Sequence, residues 1–467
     1  MPEPEVYDAV VIGSGEAGKF MCWHLGSLGQ RVVVVERRYL GGACPNIACL
    51  PSKNVIHTAK VASYFRRAEE FGMRVDGFRV DMAGVHANKQ RMIEGLHALH
   101  RSKFEASHTT FLWGSAKFVG DRTVDVTMND GRETRTLRGT RVFLDIGSRA
   151  TLEPIPGLAD AKPLTHVEAL DLTILPKHLV ILGGGYVGLE LAQAMRRLGS
   201  KVTVLERSER ILPREDADVA DGIAQVFAGE GIEILTQAKV SRIEGRSGDA
   251  VRVVGTIAGE ERSIAGSHLL VATGRTPNTD GLGLAKGGIA LTPNGYVKVN
   301  DRLETTAENV WAMGDCAGSP KFTHISYEDF RIVRDNLDGG HRSTVGRQVP
   351  SCIFTDPEFA RVGLNESEAR EKKIPYRLAK APMAAVLRTR TLNETRGFLK
   401  ALIGAKDDKV LGFTGFGWSV GELLPPFQLA MKHDLPYTAI DDLVVTHPTI
   451  AEGLGVVFSG KLVPISV

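Results

Sequence analysis

Hydrophobic positions near the start of the chain fall into short runs separated by a glycine-rich turn and a helix-like stretch. The first run, from Asp8 to Ile12, is apolar and β-prone, and the second spans Val32 to Val35. Short apolar runs bounded by turn residues are typical of buried strands. The pattern therefore predicts a strand, a helix and a second strand, which together form a βαβ unit.

The turn of this unit has the spacing of a dinucleotide-binding fingerprint. Its glycines are Gly13, Gly15 and Gly18, and Glu36 closes the second strand. We expect Gly13 to make the tight turn, Gly15 to let the backbone approach a pyrophosphate, and Gly18 to allow close packing of helix on strand. Glu36 would accept hydrogen bonds from ribose hydroxyls, and the phosphates would lie at the helix N-terminus.

The whole unit recurs at a constant offset of 170 residues. The second copy has apolar runs at 179–182 and 202–205, the glycines Gly183, Gly185 and Gly188, and the acidic residue Glu206. In both copies the acidic residue follows the middle glycine by 21 positions. One such glycine pattern arises easily by chance in a chain with 51 glycines, but two copies with matched strands and matched acids do not. Two dinucleotide sites are predicted.

Composition narrows the class of protein. The 467 residues correspond to about three domains, and 43% of them are hydrophobic, enough for several cores. The 57 basic and 55 acidic residues nearly balance, which gives no reason to expect nucleic acid or a membrane as a partner. No apolar run reaches membrane-spanning length. Five cysteines are an odd number and too few for a secreted disulfide scaffold, so we expect a cytoplasmic protein.

Two of these cysteines, Cys44 and Cys49, follow the first βαβ unit, where a dinucleotide-binding fold would hold a flavin ring. A thiol pair beside a flavin can pass two electrons from a nicotinamide to a disulfide. Five positions separate the cysteines, too many for neighbours on a regular helix, so we expect a locally distorted turn. Gly41, Gly42 and Pro45 suit a helix start there, and a helix N-terminus would lower a thiol's pKa. The alternatives are buried structural cysteines or a metal-ligand pair, although metal sites usually have CxxC spacing and further ligands.

With both fingerprints and the thiol pair, further motifs carry a family resemblance. They are Ala272-Thr273-Gly274-Arg275-Thr276-Pro277-Asn278, Gly314-Asp315, Phe354-Thr355-Asp356-Pro357-Glu358, Val362-Gly363-Leu364 and Thr446-His447-Pro448-Thr449-Ile450-Ala451-Glu452. The chain resembles the class I pyridine nucleotide-disulfide oxidoreductases over nearly its full length. That family includes dihydrolipoamide dehydrogenase, glutathione reductase and mercuric reductase.

The resemblance implies an α/β fold with two Rossmann-like domains and a C-terminal α+β dimerisation domain. Residues 1–150 and 278–345 would form a split FAD-binding domain, 151–277 the NAD(P)-binding domain, and 346–467 an antiparallel interface domain. Members of the family are homodimers in which the partner's His-Glu pair completes each active site, so the resemblance implies a homodimer here. No resident metal is implied.

Roles for the catalytic residues also come from the resemblance. Cys49 would be the flavin-side thiol and Cys44 the thiol that exchanges with substrate. Reducing a disulfide expels a thiolate that must be protonated, and a histidine suits this work. His447 would be that acid-base group, oriented by Glu452; the alternative is a histidine that caps a helix start.

The remaining site residues match cofactor-binding positions of the family. Lys53 and Glu190 match an ion pair near the flavin, Asp315 a ribityl ligand, and Tyr186 an aromatic side chain that covers the empty nicotinamide pocket. Gly114 and Gly147 fall where the backbone approaches the adenosine half of FAD, although Asp145-Ile146-Gly147-Ser148 departs from the usual Ala-Thr-Gly-Ser. Gly274 and Arg275 belong to the motif quoted above that begins at Ala272, and by the resemblance they would also contact a cofactor.

Glu206 would bond the ribose diol of NADH and repel the extra phosphate of NADPH, with Arg207 and Arg210 close enough to soften that preference. The leading hypothesis is therefore an NADH- and FAD-dependent reductase of a small disulfide. A metal-ion (mercuric or copper) or oxidant-stress reductase with the same thiols is the second hypothesis. A flavin-bearing structural or regulatory protein without turnover is the third.

Overall fold

The computed structural model of the chain describes residues 3–466. Its helices are α1 Glu16–Ser27, α2 Ala43–Asn46, α3 Cys49–Arg66, α4 Met82–Ala106, α5 His166–Leu170, α6 Tyr186–Leu198, α7 Ala217–Gly229, α8 Thr323–Leu337, α9 Glu366–Glu371, α10 Leu387–Thr391, α11 Leu424–Lys432, α12 Thr438–Asp441 and α13 Gly453–Val456. Short 3-10 helices lie at Ala68–Phe71, Leu284–Gly287, Gly314–Ala317, Met383–Ala385, Val420–Leu423 and Ile450–Glu452.

The strands lie at β1 Glu5–Ile12, β2 Val32–Glu36, β3 Thr110–Gly120, β4 Thr123–Met128, β5 Thr134–Leu144, β6 Ser148–Ala150, β7 His178–Leu182, β8 Lys201–Leu205, β9 Ile232–Leu235, β10 Ala238–Arg246, β11 Ala250–Ile257, β12 Glu260–Gly266, β13 His268–Val271, β14 Arg275–Pro277, β15 Val310–Ala312, β16 Ser351–Ile353, β17 Glu358–Gly363, β18 Tyr376–Pro382, β19 Phe398–Gly404, β20 Val410–Gly417 and β21 Val463–Ile465. Both predicted βαβ units are confirmed, as β1-α1-β2 and β7-α6-β8.

The chain divides into two compact units. Unit 1 comprises the chain up to Asn54, Ala83–Thr151 and Gly274–Arg347. Unit 2 comprises Val55–Met82, Leu152–Thr273 and the chain from Gln348. The segment 55–82, which the sequence analysis placed in the FAD-binding domain, belongs to unit 2. The three-domain division itself stays a prediction.

Unit 1 is built on a parallel sheet of order β3-β2-β1-β5-β15. Strands β3 and β5 are long, and their outer parts pair antiparallel with β4 to form a ribbon that extends the sheet. Hydrophobic clusters cover both faces, because every residue of β2 is buried and its valines alternate between the two clusters. The carboxyl ends of β1 and β2 therefore meet at one edge, where the first glycine-rich turn lies.

Unit 2 contains a parallel sheet of order β13-β7-β8-β9 and an antiparallel sheet of order β10-β11-β12. Its C-terminal part is a six-stranded antiparallel sheet of order β16-β17-β20-β19-β18-β21, with α11 packed on β20. The second glycine-rich turn joins β7 to α6. No helix in residues 3–466 combines the length and apolar character needed to span a membrane.

Candidate active site and cofactor sites

The first glycine-rich turn needs glycine for steric reasons that the structure makes explicit. Gly13 adopts φ +95°, and a Cβ there would lie 2.2 Å from the carbonyl oxygen of Asp145. A Cβ on Gly18 would lie 2.3 Å from the Gly13 carbonyl oxygen. The close helix–strand packing expected of Gly18 is therefore present, and α1 begins at this turn without a capping side chain on its Ncap residue, Gly15.

A buried carboxylate, Asp145, lies against this turn. Its Oδ2 accepts a hydrogen bond of 2.7 Å from the Gly18 amide, and a Cβ on Gly15 would lie 2.6 Å from the same oxygen. Asp145 is 7% exposed, and burial raises its pKa to about 7 against the lowering effect of the Gly18 amide. The carboxylate of Asp315 adds to the rise. Asp145 was noted in the sequence only as a departure from a motif; its contact with Gly18 was missed.

Glu36, at the end of β2, is held rigidly by the protein. Its Oε2 accepts hydrogen bonds from the amide and hydroxyl of Ser14 at 2.9 and 2.8 Å. Its Oε1 accepts from the amides of Arg38 and Tyr39 at 2.8 and 3.0 Å. The carboxylate is thus fixed beside the glycine turn, as a ribose ligand requires, and any ribose hydroxyl would share it with these donors.

The second glycine-rich turn has the same backbone but leaves more space. Gly183 adopts φ +107°, and a Cβ there would lie 2.5 Å from the carbonyl oxygen of Ala272. Ala272 therefore takes the place that Asp145 has in unit 1. A Cβ on Gly185 would meet no heavy atom within 4 Å, so the backbone here is open to a phosphate group. Glu206 is again buried, and its Oε2 accepts a hydrogen bond of 2.8 Å from the Gly184 amide.

Tyr186 opens α6 directly after this turn, and a chain of polar contacts fixes its ring. The hydroxyl donates a hydrogen bond of 2.8 Å to Glu215 Oε1, and Glu215 Oε2 lies 3.0 Å from Arg361 Nε. Arg361 also bonds both carboxylate oxygens of Glu368. Burial raises the pKa of both Tyr186 and Glu215. Glu215 was not singled out from the sequence, since no spacing relates it to Tyr186.

The two candidate redox cysteines lie at neighbouring helix starts. Cys44 is in the short helix α2 and Cys49 begins α3, so the chain breaks its helical path at Ile47 and Ala48, as the predicted distortion requires. The side chains of the two cysteines hydrogen-bond with each other, and no disulfide joins them in this structure. The two sulfurs are therefore close to each other.

The glycines before the cysteines bring this segment against the first nucleotide turn. Gly41 and Gly42 both have positive φ, at +81° and +80°. A Cβ on Gly42 would lie 2.4 Å from the Cα of Gly15. Because no side chain separates the two backbones, the segment that leads into α2 and Cys44 lies in direct contact with the glycine turn of the predicted FAD site.

Thr323 is a further residue of the thiol site. It begins α8, and its Oγ1 lies 3.2 Å from the sulfur of Cys49. The contact joins positions 274 residues apart, which explains why no sequence spacing indicated it.

One expectation for the thiols was wrong. The helix N-terminus was expected to lower the thiol pKa, but the pKa of Cys44 is raised well above its ordinary value. The hydrogen bond with Cys49 is the main cause, and burial adds to it; the contact with Thr323 opposes both. Helix α2 has only four residues, so its dipole is too short to outweigh a neighbouring sulfur.

Asp315 and Arg275 meet in unit 1 around Ser148. The Ser148 hydroxyl donates to Asp315 Oδ2, and Arg275 Nε donates to Ser148 Oγ at 2.7 Å. Arg275 Nε lies 3.5 Å from Asp315 Oδ2. Gly147, the preceding residue, adopts φ +64° with open space where a Cβ would be. These groups give a polar cluster next to an open stretch of backbone, as a cofactor-binding position needs.

The other predicted glycines differ in how crowded they are. A Cβ on Gly114 in β3 would lie 2.7 Å from the Thr127 carbonyl oxygen, so the sheet itself requires glycine there. Gly274 adopts φ +152° and its carbonyl accepts a hydrogen bond of 3.0 Å from the Thr151 amide. It thereby anchors the short ladder of β6 with β14.

Lys53 and Glu190 fall in different units. Lys53 lies in the first turns of α3 within unit 1, and Glu190 lies in α6 within unit 2. Glu190 is buried, and its Oε1 accepts a hydrogen bond of 2.9 Å from the Phe354 amide. The expected Lys53–Glu190 ion pair stays a prediction.

His447 and Glu452 form the expected pair. His447 Nδ1 lies 2.9 Å from Glu452 Oε1, and Glu452 Oε2 accepts a hydrogen bond of 3.2 Å from the Thr449 amide. The His447 side chain is 64% exposed. The carboxylate is thus anchored by the helix start, and the imidazole turns its Nε2 edge away from Glu452. Such a histidine can exchange protons with a group outside its own chain.

Comparison with known proteins decides the family. Residues 7–329 match the model of the pyridine nucleotide-disulphide oxidoreductases, and residues 349–457 match the dimerisation domain of the same proteins. The chain belongs to this family. It therefore has two dinucleotide-binding domains and a C-terminal dimerisation domain, and it is an FAD- and NAD(P)H-dependent disulfide oxidoreductase.

Individual relatives agree with this assignment. A probable pyridine nucleotide-disulfide oxidoreductase of Escherichia coli, RclA, is 36% identical over 97% of this chain and 99% of its own length. A mercuric reductase of Shigella flexneri is 34% identical over 95% of this chain and 79% of its own. A solved structure described as the Cu(II) complex of the HOCl-induced flavoprotein disulfide reductase RclA has a TM-score of 0.89 at 35% identity, covering 97% of this chain and 99% of that one.

Proposed function

We propose that this oxidoreductase uses NADH to reduce a small disulfide through Cys44 and Cys49. The observation that carries the proposal is the placement of the two thiols, in contact with each other and starting from Gly42, which lies against Gly15 of the first nucleotide turn. FAD, when bound at that turn, supplies the electron pair that it takes from the nicotinamide. Gly147 and Asp315 offer the open backbone and polar group that fit it.

The thiol chemistry follows from the protein's own groups. The reduced pair holds two electrons, and the Cys44 sulfur attacks the substrate disulfide, forming a mixed disulfide and expelling a thiolate. Cys49 then attacks the Cys44 sulfur, which restores the internal disulfide and releases the second thiol. Each expelled thiolate needs one proton.

A proton acceptor is also needed before the first attack. Attack requires the thiolate, and the raised pKa of Cys44 disfavours its ionisation. We assign this role to His447 of the partner subunit, oriented by Glu452, in a homodimer formed through the dimerisation domain. Exposed apolar side chains shortly before His447, Leu443 and Val444, support a protein contact at this position.

The nucleotide preference is assigned to NADH. Glu206 is buried and fixed by the Gly184 amide, so its charge cannot turn away from a 2′-phosphate. Arg207 and Arg210 are exposed, and Arg210 is paired with Asp221 at 3.2 Å. The neutralised Arg210 leaves less positive charge to attract NADPH. Because a reduced dithiol persists only in a reducing compartment, we place the enzyme in the cytoplasm.

The histidine provides the test. Replacing His447 with alanine should lower the rate of disulfide reduction by a factor of about 100 or more at pH 7, in the range typical of general acid-base catalysis. The residual rate should rise about tenfold per pH unit, because hydroxide replaces the missing base in forming the Cys44 thiolate. His433→Ala, an exposed histidine in the same unit, is the matched control. Full disulfide activity in His447→Ala would contradict the mechanism.

A second substrate class is favoured by one comparison, the Cu(II) complex of RclA. We propose that metal-ion reduction is the alternative activity of the same thiols. Two Cu(II) ions would each take one electron as the thiol pair forms its disulfide, and a bound metal ion displaces the thiol protons itself. No substrate thiolate is expelled, so His447→Ala should largely spare copper-dependent NADH oxidation while disulfide reduction is lost. A panel of disulfides, quinones and metal ions, assayed by NADH oxidation on the FAD-loaded enzyme, would show whether disulfides or metal ions are the better substrates.

A further inference from the structure

A cavity of about 470 Å³ in unit 2 is lined by an unusual number of arginines. The arginines are Arg66, Arg67, Arg196, Arg197 and Arg396. They converge because three helices end there: α3 at Arg66, α6 just after Arg197, and α7 at Gly229. Cations are favourable at helix C-termini, which explains why arginines occur at these ends but not why five of them share one cavity.

Three of the arginines are neutralised by carboxylates. Arg197 bonds Glu230 and Asp356, each at 2.6 Å. Arg67 bonds Glu70 and Glu394, each at 2.8 Å, and Arg396 also bonds Glu394, at 2.9 Å. Lys60 shares Asp356 at 3.2 Å.

The charges of this cluster do not balance. The five arginines and Lys60 carry six positive charges, and Glu70, Glu230, Glu394 and Asp356 carry four negative ones, which leaves a net charge of +2.

The excess lies on Arg66 and Arg196. Within residues 3–466, neither forms an ion pair; both donate only to backbone carbonyls, Arg66 to Ala62 and Arg197, and Arg196 to Glu230 and Ser200. A carbonyl satisfies a donor but cancels no charge. Burial together with the positive charges of Arg196 and Arg197 lowers the pKa of Arg66. A ligand anion in the cavity would relieve that repulsion.

We propose that this cavity binds a small phosphate-bearing anion, held by Arg66 and Arg196. A phosphate dianion matches the net charge of +2, and guanidinium groups bind phosphate oxygens in pairs. The volume exceeds that of inorganic phosphate and falls in the range of small-molecule pockets, so there is room for an organic group on the phosphate.

This site is separate from the nucleotide turn on the same helix. Gly185 precedes the first turn of α6, whereas Arg196 and Arg197 lie in its last turn. Thirteen residues at about 1.5 Å each put the two ends roughly 20 Å apart. NAD⁺ bound at Gly185 would therefore leave the arginine cavity open, and the two ligands can be tested together.

The test is calorimetric titration of inorganic phosphate into the full-length, FAD-loaded enzyme with saturating NAD⁺, at ionic strength held constant with sodium chloride. Phosphate should bind the wild type, and Arg66→Gln and Arg196→Gln should each weaken binding by a factor of ten or more. Arg196→Lys keeps the positive charge but lacks the two-pronged guanidinium group, so its phosphate affinity should lie between those of the wild type and Arg196→Gln. Arg242→Gln, an exposed arginine of the same unit, is the matched control and should bind as the wild type does.

Absence of phosphate binding to the wild type, or equal binding by Arg66→Gln, would overturn the proposal. The Arg66 residue is exposed, so we expect Arg66→Gln to fold even if Arg196→Gln does not. Sugar phosphate and citrate distinguish the ligand classes. Tighter binding of the sugar phosphate identifies a phosphate ester, equal binding identifies free phosphate, and tighter binding of citrate would refute the phosphate assignment.

Discussion

The raised pKa of Asp145, the buried carboxyl group at the first glycine-rich turn, can be tested through the pH dependence of stability. Burial raises its pKa from 3.8 to about 7, so the folded protein binds a proton that the unfolded chain lacks between those values. Stability should therefore fall as pH rises through this window and become level above pH 7. The difference of about three pH units corresponds to about 4 kcal/mol at most.

In the protein, the Gly18 amide donates a hydrogen bond of 2.7 Å to Asp145. Asp145→Asn removes the titrating carboxyl group but keeps an oxygen that can accept this hydrogen bond. The free energy of unfolding of the variant, minus that of the wild type, should grow by about 2 kcal/mol between pH 5.5 and pH 7 and then stay constant. Asp145→Ala copies the counterpart residue Ala272 and should show the same trend, offset by its lost hydrogen bond.

Equilibrium urea unfolding of FAD-stripped protein at several pH values and one protein concentration measures this difference, because bound FAD would add its own pH dependence. Asp280→Asn is the control, because that carboxyl is 77% exposed in the same unit. A constant difference between Asp145→Asn and the wild type from pH 5.5 to 8.5 would refute the assignment of a raised pKa. So would an identical pH trend in Asp280→Asn.

The same charge should affect cofactor retention. FAD carries a diphosphate, and we place it at the N-terminus of α1, which Asp145 also contacts through Gly18. Ionised Asp145 would repel the phosphates, so the FAD affinity of the wild type should fall above pH 7, by at most tenfold per pH unit. Fluorescence titration of FAD-stripped protein should show a weaker pH dependence for Asp145→Asn.

Two further predictions concern contacts that fix the reacting groups. We expect the Tyr186 ring to cover the nicotinamide pocket until NADH binds. Tyr186→Phe removes the hydroxyl, and Glu215→Gln removes the charge of its acceptor; each should weaken this charge-assisted bond by about 1 kcal/mol and, because a less restrained ring would leave the pocket more easily, lower the Kd for NADH about fivefold. The double variant should show no additional gain in stopped-flow binding; a weaker affinity in either variant would contradict this. Thr323→Val removes the hydroxyl 3.2 Å from the Cys49 sulfur and should make the thiol pair's potential about 20–40 mV more negative, because the reduced form loses a stabilising bond worth about 1–2 kcal/mol. Thr323→Ser should stay at the wild-type value in a redox titration, and an unchanged potential in Thr323→Val would show that the hydroxyl does not act on the thiols.

The features that the sequence predicted well are those set by local backbone requirements. Gly13 and Gly183 both need positive φ and an absent side chain, and the strands around them are continuous apolar runs. The spacing of Cys44 and Cys49 likewise predicted the broken helical path between α2 and α3. Such signals depend on a few neighbouring residues, so they can be recognised in a single sequence.

Features that depend on burial could not be predicted in this way. Thr323 reaches Cys49 across 274 positions, and Glu215 reaches Tyr186 across 29, with no pattern relating them. The Cys44 pKa was misjudged for the same reason, because a rule about helix ends ignored the neighbouring sulfur. A pKa is set by the sum of burial and partners, and both follow from long-range folding.

The two copies of the βαβ unit show the difference between features set by the local backbone and features set by burial. Asp145 and Ala272 hold the same backbone relation to their glycine turns, with carbonyl oxygens 2.2 and 2.5 Å from a Cβ on Gly13 or Gly183. The turn geometry therefore does not require an acidic side chain, and Ala272 shows that a methyl group suffices. A buried carboxylate costs free energy at neutral pH, so we infer that Asp145 has a role that Ala272 does not share, namely control of charge at the turn where we place the flavin nucleotide.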